Sequence, residues 1–533
     1  MATPTLAVGP DGGPAREPLP ARGPARWRRV LLAAVSGLAL AAAFPALDWE
    51  PLAWVGLVPL LVAVRDLAPR AAFAVGWVAG FAFYLASVYW VAYTIGRYTA
   101  LPMPAAVGVL LLMVSVLACY VGAFTAGLRW LERRDLPALW LAAPLWVTLE
   151  WLRGWFFIGF PWALLGYSQY RYHDLVQMAE VTGVYGISAV LVLFNVVTAE
   201  VLRRRGEGLR RRVLPALVAL TVLLVCLPAL GRWRAEALRA RPVVGRLEVA
   251  LAQGDVEQDH KWDPAYQSDT MRRYRDLTRA SFAERPDLVV WPETATPFFF
   301  QEPGPLRREV LDLAVEGRTW LVFGSPAAER GAHGPAEVNR AYLVSPAGEE
   351  VAFYDKMQLV PFGEYVPFQS VLFFVNRIVN AVGDVVAGRV PTVFRLPQGR
   401  FGVLICYEGI FPALTRRFVA HGAEFLVNIS NDAWYGRTAA PHQLLAHVTL
   451  RAVENRVPIV RAANTGVSAI IDPDGRIRWQ GPLFEALWHA DEITWRGVRT
   501  FYTRFGDVFA WACALATLAA FGYGARRWRS TRG

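Results

Sequence analysis

Charge and cysteine are both scarce in this chain. Asp, Glu, Lys and Arg make up 19% of its 533 residues, against 55% for the apolar set, with 21 tryptophans and a mean hydropathy of +0.29. An ordinary soluble domain needs fewer apolar residues than this, so a membrane protein is expected. Only four cysteines are present, which leaves no disulfide framework to build on. CxxC, HExxH, Walker A and GxGxxG motifs are also missing, so no metal, nucleotide or dinucleotide cofactor is expected.

The formal charge of +11 raises the question of nucleic acid, and the placement of the arginines answers it. They cluster at Arg16 to Arg29, Arg129 to Arg134, Arg203 to Arg212 and Arg526 to Arg532, each beside an apolar run. No basic, aromatic-interleaved patch stands free of such a flank, so no nucleic-acid partner is expected.

Apolar segments near 30–47, 51–64, 71–93, 104–128, 136–152, 178–202, 213–231 and 505–524 predict about eight spans. With the N-terminus inside, the inside segments hold 20 Lys and Arg and the short outside loops three. That bias puts the long segment after the seventh span outside. The chain then divides into a disordered cytoplasmic N-terminus at 1–25, a seven-span membrane domain at 26–231, an outer domain at 242–495 and a C-terminal membrane helix at 505–524.

The outer segment has a different texture, with short runs of Val, Ile and Phe between charged stretches and Pro/Gly turns. Strands are predicted at Leu247–Gln253, Leu288–Trp291, Thr319–Gly324, Arg340–Ser345, Gly402–Cys406, Glu424–Ile429, Ile459–Ala462 and Ser468–Ile471, with a helix from about Pro441 to Asn455. No internal repeat is visible.

Cys119, Cys226 and Cys513 fall in predicted spans, which leaves Cys406 alone outside. A solitary thiol there is either buried and inert or chemically employed. The apolar run Gly402 to Ile405 ends at Cys406 and turns polar at Tyr407-Glu408, placing the sulfur at the end of a sheet. A nucleophilic thiol needs a base or a cation nearby. Val290-Trp291-Pro292-Glu293 also ends a strand, and the apolar neighbours of Glu293 would raise its pKa toward a useful range. Tyr354-Asp355-Lys356-Met357 precedes Val360-Pro361-Phe362-Gly363-Glu364 and offers an ammonium. Pro297 to Phe300 after the first segment, and Val371 to Val375 with Ile378, Val379 and Val382 after the second, suggest an apolar mouth facing the membrane.

Glu293 in VVWPE, Lys356 in YDKMQLVPFGE and Cys406 in ICYE resemble the Glu-Lys-Cys triad of the nitrilase superfamily. Seven spans before and one after such a domain make the whole chain beyond about residue 25 similar to the apolipoprotein N-acyltransferase family, the membrane-embedded branch. This resemblance implies a polytopic α-helical membrane domain of about eight spans plus an α/β nitrilase-like αββα sandwich domain. It implies a multi-pass enzyme of the bacterial inner membrane, catalytic domain facing the periplasm. The activity implied moves a fatty acyl group from a phospholipid donor, through a thioester on Cys406, to the N-terminal amine of a diacylglyceryl-modified apolipoprotein acceptor. Glu293 would be the base, Cys406 the nucleophile, and Lys356 with backbone N–H groups the oxyanion partners. Glu364, Tyr407, Glu408 and Trp262 match supporting positions of the family; Glu364 is alternatively a structural salt bridge and Trp262 ordinary packing.

Three other readings compete. A papain-like pairing of Cys406 with His442 or His447 is weak because two histidines five apart on a helix do not share a face. A membrane-tethered nitrilase-type amidohydrolase would let water resolve the thioester. A non-catalytic transporter or scaffold would have no use for all three triad residue types.

Overall fold

The computed structural model describes residues 25–156, 159–203, 213–259, 261, 263–331, 334–361, 363–365 and 385–530. Residues 1–24, Trp262 and 371–382 lie outside that set, so the predicted disorder, the tryptophan and the second half of the apolar mouth do too.

Among the described residues, five helices are long and apolar enough to cross a membrane: Pro69–Ser87, Met103–Glu132, Val184–Arg203, Leu214–Arg239 and Val508–Ser530. The other three predicted segments are shorter, with helices at Arg26–Ala42, Leu52–Val55 with Val58–Ala63, and Ala138–Arg153. Proline lies at the start of several of these helices, where its missing N–H costs nothing, as at Pro69, Pro104 and Pro215.

The described residues from 245 to 495 form two six-stranded sheets. In chain order the strands are β1 Gly245–Gln253, β2 Leu288–Val290, β3 Trp320–Gly331, β4 Gly334–Val344, β5 Glu350–Asp355, β6 Val393–Arg395, β7 Arg400–Ile405, β8 Phe425–Ser430, β9 Ile459–Ala463, β10 Ala469–Ile471, β11 Ile477–Gln480 and β12 Leu487–Trp495. The first sheet runs β12-β1-β2-β3-β4-β5 and the second β11-β10-β9-β8-β7-β6. Each has three parallel central strands with antiparallel neighbours outside them. The chain therefore carries a structural repeat that its residues do not display.

Strand periodicity builds the layers. Leu247, Val249 and Leu251 of β1 pack with Val403, Ile405, Val427 and Ile459 of the second sheet. Ala250 and Ala252 turn the other way, against Met271 and Tyr274 of the helix Pro264–Ser281 and Leu313 of Pro305–Gly317. Every described side chain of the helix Ala440–Asn455 except His442 is buried, because membrane-domain residues cover the face that the second sheet does not. Gln443 joins the halves, accepting from the indoles of Trp90 (3.2 Å) and Trp162 (2.7 Å) and donating to the carbonyls of Pro45 and Ser87.

Candidate active site

The parallel strands deliver the site, since their carboxyl ends lie side by side at one edge of each sheet. Glu293 follows β2, Lys356 follows β5, Cys406 follows β7 and Asn431 follows β8. Trp291 is fully buried and its indole donates to Thr278 Oγ1 at 2.8 Å, which anchors the turn leading to Glu293. A side chain at Gly324 would lie 2.7 Å from Glu293 Cα, so glycine on β3 permits that turn to sit where it does. Cys406 has a φ of +52°, a strained conformation for a non-glycine residue that the surrounding packing must enforce.

Glu293, Lys356 and Cys406 line one cavity of about 800 Å³. Lys356 Nζ donates to Glu293 Oε1 at 3.2 Å and to Glu364 Oε1 at 2.8 Å. The amide of Asn339 donates to the same two oxygens, at 2.7 and 3.1 Å. The N–H of Asn431 donates to the other oxygen of Glu293 at 2.8 Å. Glu364 is thus part of the lysine's ion pair, a contact that both of its readings allow.

Burial pushes the Glu293 carboxyl up, yet Lys356, the Asn339 amide, the Asn431 N–H and Lys261 together hold it below the ordinary glutamate value. The sequence expectation of a raised pKa is corrected here: the apolar neighbours are present, and the cations and donors that outweigh them are not sequence neighbours. Burial would lower Lys356, but the carboxylates of Glu293 and Glu364 hold it well above the usual lysine value. Burial and the charge of Glu293 push the Cys406 thiol up to about 12, against the opposing pull of Lys356 and Ser430. The resting site is therefore thiol, carboxylate and ammonium. Proton transfer from Cys406 to Glu293 is unfavourable until a bond to sulfur begins to form.

Glu408 occupies a different place. It is fully buried, and its Oε1 accepts from Tyr354 OH (2.7 Å), Met357 N (2.7 Å) and Gln358 N (3.1 Å) while Oε2 accepts from Ile405 N (2.8 Å). It ties the lysine segment to the cysteine turn. Glu408→Gln puts an NH₂ group against a donor, and an unmet buried donor costs about 1–3 kcal/mol. We expect a lower thermal unfolding midpoint together with lost activity; an unchanged midpoint would remove this bracing role. Tyr407 stacks at 6.5 Å on Trp162 of the membrane domain and lines the cavity.

The alternatives of the sequence fare differently. The Nδ1 of His447 bonds the carbonyl of Gln443, its ring packs on Trp162 and Tyr167, and burial pulls its pKa down to about 3. Neither it nor His442 lines the cavity. Of the phenylalanines expected at the mouth, Phe299 lines the cavity, whereas Phe300 is fully buried in the first sheet's outer core against Phe323 and Tyr342. The expectation for Phe300 is corrected, because that ring satisfies packing in the core.

Several site residues escaped the sequence reading. Lys261 is buried and donates to the main-chain oxygen of Glu293 at 3.2 Å. Desolvation draws its ammonium down to about 7. A signal existed: Lys261 and Lys356 are the only two lysines in the chain, every other basic side chain of that type being arginine. A compact ammonium fits between carboxylates where a planar guanidinium does not. Asn339 and Asn431 gave less warning, as polar residues within or just after strands.

A family model described as apolipoprotein N-acyltransferase N-terminal domain matches residues 36–197, and one described as carbon-nitrogen hydrolase matches 248–491. An apolipoprotein N-acyltransferase of Geobacter metallireducens is 42% identical over 499 residues, 93% of this chain and 95% of its own length. One of Azotobacter vinelandii is 36% identical over 514 residues, 95% and 96% of the two chains. Among solved structures, an amidase from Nesterenkonia sp. aligns at a TM-score of 0.36 and 20% identity, over 50% of this chain and 95% of its own.

Proposed function

This chain belongs to the apolipoprotein N-acyltransferase family, and from that premise we propose that it acylates the N-terminal amine of a diacylglyceryl-cysteine lipoprotein with a fatty acyl group taken from phospholipid. The observation that carries this reading is the composition of the cavity. It joins Glu293, Lys356 and Cys406 to Val109, Leu112 and Val116 of the helix Met103–Glu132. Leu112 and Val116 are exposed on that helix, so an acyl chain could pass sideways from lipid to the thiol. A soluble amide, the substrate of the competing amidohydrolase reading, would make no use of such a wall.

In the first half-reaction Cys406 Sγ attacks the ester carbonyl as its proton passes to Glu293. Lys356, with main-chain N–H groups at the cysteine turn, stabilises the oxyanion. Collapse releases the glycerol oxygen, which takes the proton from Glu293, and leaves a thioester. In the second half-reaction the lipoprotein amine attacks the thioester, Glu293 accepts its proton, and the thiolate leaves and recovers that proton. Glu364 and Asn339 hold Lys356 and Glu293 in register, Glu408 braces Lys356 against Cys406, and Tyr407 forms part of the wall. All eight apolar segments cross the membrane, shorter helices included. The arginine bias orients the domain to the periplasmic side of the inner membrane.

Purified enzyme given phospholipid without acceptor should accumulate an acyl adduct on Cys406, visible by intact mass. Glu293→Ala should abolish the adduct and His442→Ala should leave most of it. Free turnover without an adduct would favour hydrolysis, and equal loss in both variants would sink the assignment of the base.

A further inference from the structure

A chain of buried carboxamides leads from the main chain of the loop after β1 to the cavity. Its first member, Asn464, is fixed by groups that cannot change role: its Oδ1 accepts from Val256 N at 2.9 Å and its Nδ2 donates to Val256 O at 2.7 Å. A main-chain N–H only donates and a carbonyl only accepts, so this amide has one orientation. The same Nδ2 donates to Asn431 Oδ1 at 3.0 Å. Asn431 must then present its NH₂ on the other side, where it donates to Gln258 Oε1 at 2.7 Å. With its oxygen so engaged, Gln258 turns its own NH₂ the opposite way. Gln258 is 8% exposed and lines the cavity that holds Cys406. Among the described residues no acceptor meets that Nε2. A donor on the cavity wall that meets no acceptor among the described residues is a place for a substrate oxygen.

Its location selects which oxygen. Glu293 Oε1 is taken by Lys356 and Asn339, whereas Oε2 receives the N–H of Asn431, the residue from which Gln258 hangs. The donor is therefore tied through Asn431 to Oε2, the oxygen not bonded to the lysine that serves the acyl oxyanion. Lys261 sits on the same loop as Gln258 and ties it to the main chain of Glu293, which fixes the spacing between base and donor.

We propose that Gln258 Nε2 is a binding group for the acyl acceptor and holds the carbonyl oxygen of the residue whose α-amine is acylated. This rests on the acyl-transfer reading above. An amine near Glu293 Oε2 has its own carbonyl only two bonds of about 1.5 Å further on. As the amine attacks, its C–N bond forms and the C–S bond breaks, and the amine proton passes through Glu293 to the sulfur. Gln258 binds the unreacting carbonyl and takes no part in these bond changes.

The test starts from acyl-enzyme verified by mass and offers two acceptors together: an S-diacylglyceryl-cysteinyl peptide, and S-diacylglyceryl-cysteamine, which keeps the amine but lacks the carbonyl. Both draw on one thioester, so their product ratio is independent of acylation rate. Gln258→Met removes the donor and Gln258→Glu replaces it with an acceptor. Each should reduce the wild-type preference for the peptide by roughly 10-fold, the equivalent of one hydrogen bond. Differences in intrinsic amine reactivity cancel in the comparison between enzymes. An unchanged preference in either variant that acylates overturns the proposal. So does failure of both to acylate beside a competent wild type, since Gln258 would then act before the acceptor arrives. No adduct in the wild type would instead bring down the acyl-transfer reading itself.

Discussion

Cys406→Ala is expected to lower acyl transfer by at least about 10⁴-fold, the scale seen when a covalent nucleophile is removed from a catalytic group that works as a unit. The loss should appear in both half-reactions, because with no sulfur there is no thioester for the amine to attack. Folding should be close to unchanged: the side chain is small, and deleting a thiol whose ionisation is already suppressed, at about 12, leaves no charge stranded. Acyl transfer measured with labelled phospholipid, alongside thermal unfolding, checks both halves. Transfer within about 10-fold of wild type would mean that the acyl group never rests on this sulfur.

Lys356→Met should be nearly as severe and fail differently. It removes the ammonium shared by Glu293 and Glu364, both beside the cavity and within 3.2 Å of it. Burial is the largest influence on Glu293 and pushes its pKa up; without Lys356 the main opposing charge is gone. The carboxyl then stays protonated to higher pH and cannot accept the thiol proton. We expect acyl-enzyme formation to fall at least about 10³-fold at neutral pH, with the residual rate increasing toward alkaline pH. In the wild type the sign is opposite: a carboxyl held below 4.5 keeps its contribution to stability above that pH and loses it as pH falls through the lowered value. An acylation rate in Lys356→Met whose pH profile matches the wild type would show that the lysine does not set the state of the base. Lys356→Arg should not rescue, since a guanidinium lacks the compact shape the two carboxylates enclose.

The fold was legible where its residues are apolar and illegible where they are not. Every strand expected from the sequence is present, including β7 ending at Ile405 and β8 ending at Ser430. The four strands it did not reveal, β5, β6, β11 and β12, are the outer strands of the two sheets. Edge strands meet a partner on one side only and carry mixed polar sequence, such as Ile477–Gln480 with its alternating exposure, so the apolar run that marks a central strand is missing. The site followed the same logic. Cys406, Glu293 and Lys356 announce themselves by following apolar runs, whereas Gln258, Asn339 and Asn431 matter only for what they face.

By itself the sequence determined which segments prefer lipid, which alternate as strands and which reactive side chains stand at strand ends, because hydrophobic periodicity is a local property of neighbouring residues. Only the tertiary structure decided the protonation states of those side chains, the direction of the Gln258 amide and the joining of a membrane-helix wall to the catalytic turn. Electrostatic and hydrogen-bonding energies depend on distance and burial. The groups that set them here, such as Asn431 on Glu293, lie 138 residues apart along the chain.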